Sequence, residues 1–428
     1  MRGTSPSGIV VIVCLATGCA LEGAPPRLDP ACPAGTRTAF ADEVIYEDQT
    51  WVRWCGPYRV DGVLRVEQAA TLRVEAGVQV HLGPAARIVV GETTRGALEA
   101  LGQPASKDRA GRLIRERSPV ALVPASAAPW GGVVVGVHGS AVLREVEVRG
   151  AGGAAAVAVQ GGRLVVDGVA FAGLSGSALS ALTRYPAPPR PTDPPEWGPG
   201  ALRVSSLSTD GSGLAAALSL HWSHVNALGQ MLDLPSDRHI ALSRRSDEVN
   251  GSLTFLRQRV PYRLGSGWGP AAGEVWTLHA GVTLEVGGGP EAHLDVRYGR
   301  LRAHGLPGLP VELRSPSGEK GSWRGVVFTW SHLEYQNLIV TGGGAAWHSD
   351  ALGTGPFHAP YNHASLVAWG AVPIWYREPP GLSAQLLVRQ GRGSLGLYPC
   401  GHFPFTRGEA RLEAVDDGQV FQARDCVL

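Results

Sequence analysis

Residues 50–83 read TWVRWCGPYRVDGVLRVEQAATLRVEAGVQVHLG, and residues 254–287 read TFLRQRVPYRLGSGWGPAAGEVWTLHAGVTLEVG. The two stretches superimpose without a gap. Thr50-Trp51-Val52-Arg53 falls on Thr254-Phe255-Leu256-Arg257, Pro57-Tyr58-Arg59-Val60 on Pro261-Tyr262-Arg263-Leu264, and Val74-Glu75-Ala76-Gly77 on Leu278-His279-Ala280-Gly281, always 204 positions apart. Further along, Gly96–Gly102 (GALEALG) matches Gly299–Gly305 (GRLRAHG), Pro129–Gly136 (PWGGVVVG) matches Ser322–Thr329 (SWRGVVFT), and Val146–Gly153 matches Leu338–Gly344. The same order of pieces in two places marks a duplicated unit.

Each piece is a short run of Val and Leu alternating with polar residues and bounded by glycine, the pattern of a brief half-buried strand. Val134, Val157 and Leu179 recur 22 to 23 residues apart, as do Val146 and Val169. That spacing is one turn of a three-faced β-helix, in which each strand bonds to those above and below at about 4.8 Å and alternate side chains stack inward. Ala154–Ala156 and Ala178 suit a narrow interior. The composition agrees: 58 glycines, 32 prolines and 18% charged residues favour many short strands and tight turns. With 44% hydrophobic residues in 428, the chain can bury a sizeable core.

The string TW…PYRV…LRVEAGVQVHLG…GALEALG…WGGVVV…LREVEVRGAGG resembles bacterial right-handed parallel β-helix proteins of the pectate-lyase-like superfamily, of lipoprotein type. The resemblance covers residues 42 to about 180 and again 239 to about 345. It implies an all-β fold, a right-handed parallel β-helix solenoid of two homologous modules with disulfide-closed ends. It specifies function poorly, because this scaffold hosts lyases, hydrolases, adhesins and inert surface proteins. The expected organisation is a signal peptide (1–18), a tether and cap (19–41), module one (42–184), a proline-rich insertion with connecting coils (185–238), module two (239–345), and terminal coils with a cap (346–428). A stack of about 12 to 16 coils would be on the order of 60 to 80 Å long.

The N-terminus is an export signal: Arg2, then the apolar run Ile9–Ala16, then small residues before Cys19. The run is too short to span a bilayer. Ala16-Thr17-Gly18-Cys19 resembles a lipoprotein box, with Leu15 one place further back than usual, and makes Cys19 the lipid-attachment residue. Ala20 in place of Asp points to the outer membrane of a bacterial envelope; without lipid the protein would be secreted. Cys32, Cys55, Cys400 and Cys426 then remain in an oxidising compartment. In an elongated solenoid only Cys32–Cys55 and Cys400–Cys426 meet disulfide geometry, and each closes an end.

Two excursions break the coil rhythm. Gln103–Pro119 (QPASKDRAGRLIRERSP) carries Arg109, Arg112, Arg115 and Arg117 as candidate ligand contacts for acidic glycan or lipopolysaccharide; the plainer reading is a solvated loop with one helical turn covering the coil edge. Tyr185–Gly200 is too proline-dense for a ladder and reads as an exposed spacer. Trp130 and Trp323 have the chemistry of sugar platforms, but recurrence at one coil position favours packing at a turn. Trp222-Ser223-His224 and Trp330-Ser331-His332 read as turn residues, and His348, Asp350, His358 and His363 match no zinc spacing. No metal or other cofactor is expected.

A lyase of this fold needs an acidic calcium cluster, and a hydrolase needs two or three aspartates about 5 to 9 Å apart. Between residues 109 and 192 the only aspartate is Asp167, which the 23-residue register stacks over Arg144 as an ion pair would be, with Glu145 over Gly168. Asp416-Asp417 reads as a turn. Nucleophile-elbow, Cys-x-x-Cys and phosphate-loop motifs are absent. With 38 cationic residues against 37 acids, the chain has no global basic field for nucleic acid. The expectation is a monomeric, non-catalytic envelope scaffold, adhesin or glycan-binding rod, its partner a polysaccharide or envelope protein and its membrane contact the N-terminal lipid alone. The alternative is a polysaccharide lyase or glycoside hydrolase.

Overall fold

The computed structural model describes residue 32, residues 37–84, 86–183, 202–211, 216–244, 251–319, 322–329 and 331–341, and the backbone of five further strands between Leu366 and Val415. Two-residue alternation sets each strand. In Ala70–Glu75, for example, Ala70, Leu72 and Val74 are buried while Thr71, Arg73 and Glu75 face outward. Glycine serves the corners where the chain turns with positive φ. Gly77 sits at +77° and Gly281, 204 positions on, at +75°; a Cβ on either would meet the side chain of Arg53 at 2.7 Å or of Arg257 at 2.9 Å.

Successive strands fall on three sheets in rotation. Tyr58–Val60, Gln79–Leu82 and Val120–Pro124 lie in a seven-stranded sheet; Val63–Val66, Arg87–Val90 and Val133–Val135 in a fourteen-stranded sheet; and Ala70–Glu75, Gly96–Leu101 and Gly139–Arg144 in a six-stranded sheet. Among the described strands every pairing is parallel except one hairpin, Ser106–Lys107 with Leu113–Arg115. Nearly all-parallel strands in stacked sheets are compatible with a β-helix. At about 4.8 Å per strand the fourteen-stranded sheet is roughly 60 Å tall.

Inside that sheet run two buried columns, one through Val66, Val90, Val135, Val159, Ala181, Leu220 and Leu242 and a longer one beside it. In the longer column Leu64 pairs with Ile88, and the pairing continues through Val133, Val157, Leu179, Leu218, Ile240, Tyr262, Leu284, Leu313 and Val340. Each of these side chains is at most 1% exposed. Burying one such side chain is worth about 1.5–3 kcal/mol, so the column is a major source of cohesion between neighbouring circuits. It also corrects the expected register by one residue: Val133 pairs with Val157, while Val134 pairs with Ala158 and is less buried. Ala156 and Ala178 are buried as expected, but Ala154 is exposed because it lies in the turn before Ala155–Val159.

The six- and seven-stranded sheets end at Leu202–Val204 and Leu207–Thr209. A 3-10 helix, Trp222–Ala227, follows strand Leu218–His221. Beyond it the fourteen-stranded sheet continues with Ile240–Ser243, while new sheets of five and four strands begin. Segments matched in sequence therefore change sheet. Tyr58–Val60 and Gln79–Leu82 belong to the seven-stranded sheet, but Tyr262–Leu264 and Thr283–Val286 belong to the fourteen-stranded one. At the N-terminal end Cys32 and Cys55 form a disulfide with Cα atoms 5.1 Å apart. Cys19, Cys400 and Cys426 lie outside the described residues.

The junction buries His221 and His224 in and beside the 3-10 helix, whereas His332 of the second Trp-Ser-His opens the strand His332–Gln336 and is not a turn residue. His224 Nε2 donates to the Thr183 carbonyl at 2.9 Å, and the His221 ring approaches edge-on at 6.2 Å between centroids. Burial pulls the His224 imidazole down to about 4, against the Thr183 hydrogen bond and helped by His221. Between pH 6.5 and 4 the unfolded chain then binds more protons than the folded one, so this contribution is complete above pH 6.5 and is lost as the pH falls. The loss is on the order of 3 kcal/mol over that window. His224→Gln, which keeps a donor toward Thr183, should flatten a plot of urea midpoint against pH in this range. Some slope should persist, because burial also lowers His239 and His293.

Candidate functional site

The basic excursion leaves the six-stranded sheet after Gly96–Leu101 and rejoins the seven-stranded sheet at Val120–Pro124, so it stands at the corner between them. Gln103 and Ser118 close its base with two backbone hydrogen bonds of 2.9 Å. Above the base it forms an antiparallel hairpin rather than the expected helical turn. Asp108 is the reason: its Oδ1 accepts the Ala110 and Arg112 amides at 2.9 and 2.8 Å, its Oδ2 meets Arg112 Nε at 2.8 Å, and Gly111 supplies φ +80°. The Arg112 amide and guanidinium hold the Asp108 carboxyl below its ordinary range.

Arg117 returns the hairpin to the coil. Its Nε donates to Glu145 at 2.7 Å, Nη1 to Glu147 at 3.4 Å and Nη2 to the Gly168 carbonyl at 3.0 Å, while Arg149 takes the other Glu147 oxygen at 2.7 Å. Glu145 lies over Gly168, as the sequence register requires, and a Cβ on Gly168 would come within 2.3 Å of its Oε1. Arg144 does pair in register with Asp167, but their side chains form no ion pair. Asp167 instead accepts the Ser206 hydroxyl at 2.8 Å, and Ser206 Oγ accepts the Gly168 amide at 2.6 Å.

These contacts rim a groove of about 320 Å³ at the last strands of the seven-stranded sheet. Arg117, Glu145 and Val169–Ala170 form one side, Ser205–Ser208 the middle and Gln230–Asp233 the other. The far side is fixed by the next circuit: Gln258 accepts the Leu232 amide at 2.9 Å and donates to the Gly229 carbonyl at 2.7 Å, and Arg259 pairs with Asp233. Ion pairing thus uses the groove's charges. With Ser206 engaged by Asp167 and Gly168, what it offers a ligand are the hydroxyls of Ser205 and Ser208, the Gln230 amide, and Met231, which is 44% exposed.

Of the four arginines singled out by sequence, Arg117 lines the groove, Arg112 braces the hairpin turn, and Arg109 and Arg115 are exposed without an ion pair among the described residues. The Gln230–Asp233 side had no sequence signal, because the circuit that carries it lacks regular strands. Trp130 and Trp323 are packed, not offered to sugars: both are at most 1% exposed, and their Nε1 atoms donate to the Arg149 and Thr341 carbonyls, each at 2.8 Å.

Several carboxylates elsewhere among the described residues are engaged. Buried Glu285 receives Arg263 at 2.8 Å and Arg314 at 3.0 Å, and Glu334 receives Arg302 and His304, both at 3.1 Å. Burial pushes Glu67 upward, but hydrogen bonds from Thr94, Thr93 and Glu92 outweigh it and hold that carboxyl low. Burial raises Glu274 and Asp295; the first caps its own turn on the Ala271 amide at 2.9 Å, and the second pairs with Arg297 at 3.0 Å. Among the described residues no three His, Cys, Asp or Glu side chains converge on a metal position. His348, Asp350, His358, His363 and Asp416-Asp417 lie outside them, as do Tyr185–Gly200 and Trp330.

No family model, curated protein or solved structure matches this chain. The groove is therefore read from its own chemistry. Since Arg117 ties the hairpin to the coil, Arg117→Ala should speed trypsin cleavage after Arg109, Arg112 and Arg115 several-fold while leaving the coil fragments intact on a gel.

Proposed function

We propose that the chain is an exported lipoprotein, attached through Cys19 to the outer membrane of a bacterial cell, whose right-handed, pectate-lyase-like β-helix binds a glycan without cleaving it. One observation carries this reading: a groove whose charges are paired internally and whose remaining groups are hydroxyls, an amide and one exposed thioether side chain. Hydrogen-bonding groups around an apolar patch suit the hydroxylated edge and apolar face of a sugar ring. Balanced charge favours a neutral polysaccharide over an acidic one.

The reading of two homologous modules is supported by contacts that recur with the sequence. Tyr58 and Tyr262 each aim their hydroxyls at the backbone carbonyl six residues earlier, Val52 at 3.5 Å and Leu256 at 2.8 Å, and the two tryptophans share their carbonyl contact. Because matched strands change sheet at the junction, the modules do not repeat one binding face along the molecule. A single site where the first module meets the connecting coils follows, rather than avidity along a row.

The test is to pass the protein over immobilised neutral and acidic polysaccharides, with and without calcium, measuring retention and chain ends together. Retention on a neutral polysaccharide is expected, reduced about tenfold by Ser208→Ala with Gln230→Ala, the loss of two hydrogen bonds. New reducing or unsaturated ends would replace this reading with a hydrolase or lyase, and no retention would leave a spacer.

A further inference from the structure

The groove leaves the hairpin tip unexplained. On the returning strand of the hairpin Leu113 and Ile114, which point to its opposite faces, are 54% and 69% exposed; Lys107, Arg109 and Arg115 around them form no ion pair among the described residues and outnumber the one exposed acid beside them, Glu116. An apolar pair with cations around it is poorly suited to water or to a neutral glycan. It does match a lipid surface, where the aliphatic groups enter the headgroup boundary and the cations meet phosphate.

The same corner carries a second element of that kind. Gly77 touches both neighbours at the corner, since a Cβ on it would lie 2.7 Å from Arg53 Cδ and 2.9 Å from Ser118 Oγ. The Arg53 side chain and the hairpin base therefore meet at Gly77, whose amide also donates to the Pro119 carbonyl at 3.1 Å. Trp54 in that segment is 39% exposed, and tryptophan is the side chain most at home in a headgroup layer. Next to it Cys55 is bonded to Cys32, so the chain leading back toward Cys19 is pinned at this corner. The thirteen residues from Cys19 to Cys32 reach at most roughly 45 Å.

We infer that this corner, Trp54 with the tip of the hairpin, is a membrane-contact surface that lies on an anionic bilayer. The contact adds a second membrane signal to a lipid at Cys19 and orients the stack on the surface. It does not depend on lipidation or on glycan binding, so each can fail without the other.

The test uses the processed full chain with Cys19→Ser, which cannot be acylated, mixed with vesicles of phosphatidylcholine alone or of phosphatidylcholine and phosphatidylglycerol in equal parts, at low and high salt. Sedimentation with the anionic vesicles only, weakened by salt, is expected. Ile114→Asp and the pair Arg109→Glu with Arg115→Glu should each weaken it about tenfold or more, through loss of the apolar and cationic parts respectively. Circular dichroism and retention on the neutral polysaccharide should stay unchanged in both variants. Equal sedimentation with both vesicle types, none with either, or indifference to these substitutions would overturn the inference.

Discussion

The structure depends on columns of buried side chains, the longest from Leu64 to Val340, stacked in register through the fourteen-stranded sheet. A parallel stack has no local hairpins to stabilise a circuit by itself; each circuit is held by the one below and the one above. The other sheets are interrupted at the junction, and this one is not. Leu218, Ile240 and Tyr262 carry the longest column through the irregular circuits, where a 3-10 helix replaces a strand and the sheet pattern changes. Continuity there lets the face-by-face order of the second half differ from the first without dividing the core.

The site follows from where the stack is interrupted. Regular circuits put alternating charges on their outer surface, and these pair along the stack, as Arg263, Glu285 and Arg314 do. At the hairpin and junction the regular pattern stops, leaving Ser205–Ser208 and Gln230–Asp233 on a recess rather than in a closed ladder. Both the groove and the exposed tip owe their existence to the same excursion, with Arg117 turned to the coil and Leu113–Ile114 turned to solvent.

Much of this was legible in the sequence because a parallel stack repeats its own constraints. The alternation in Ala70–Glu75, the glycine at position 77 and the placement of Glu145 over Gly168 follow from spacing alone. The one-residue error at Val134 arose because the circuit from Val133 to Val157 is 24 residues long, and a run of three valines does not reveal which of them point inward. The hairpin is not legible in the sequence because its turn is made by one carboxylate, Asp108, accepting two amides, which composition does not display. The far wall of the groove was invisible because Gln230–Asp233 is placed by Gln258 and Arg259 from the following circuit, through side chains and not a strand ladder.

The longest column couples the two halves of the stack across the junction. Amide hydrogen exchange in the wild type and in Ile240→Ala, a truncation expected to cost about 2–5 kcal/mol, tests this coupling directly. Coupling predicts that the most protected amides in Val133–Val135 and in Thr283–Val286, on opposite sides of the junction, lose protection by the same factor. Loss confined to strands next to Ile240, with one half keeping its full protection, would contradict it.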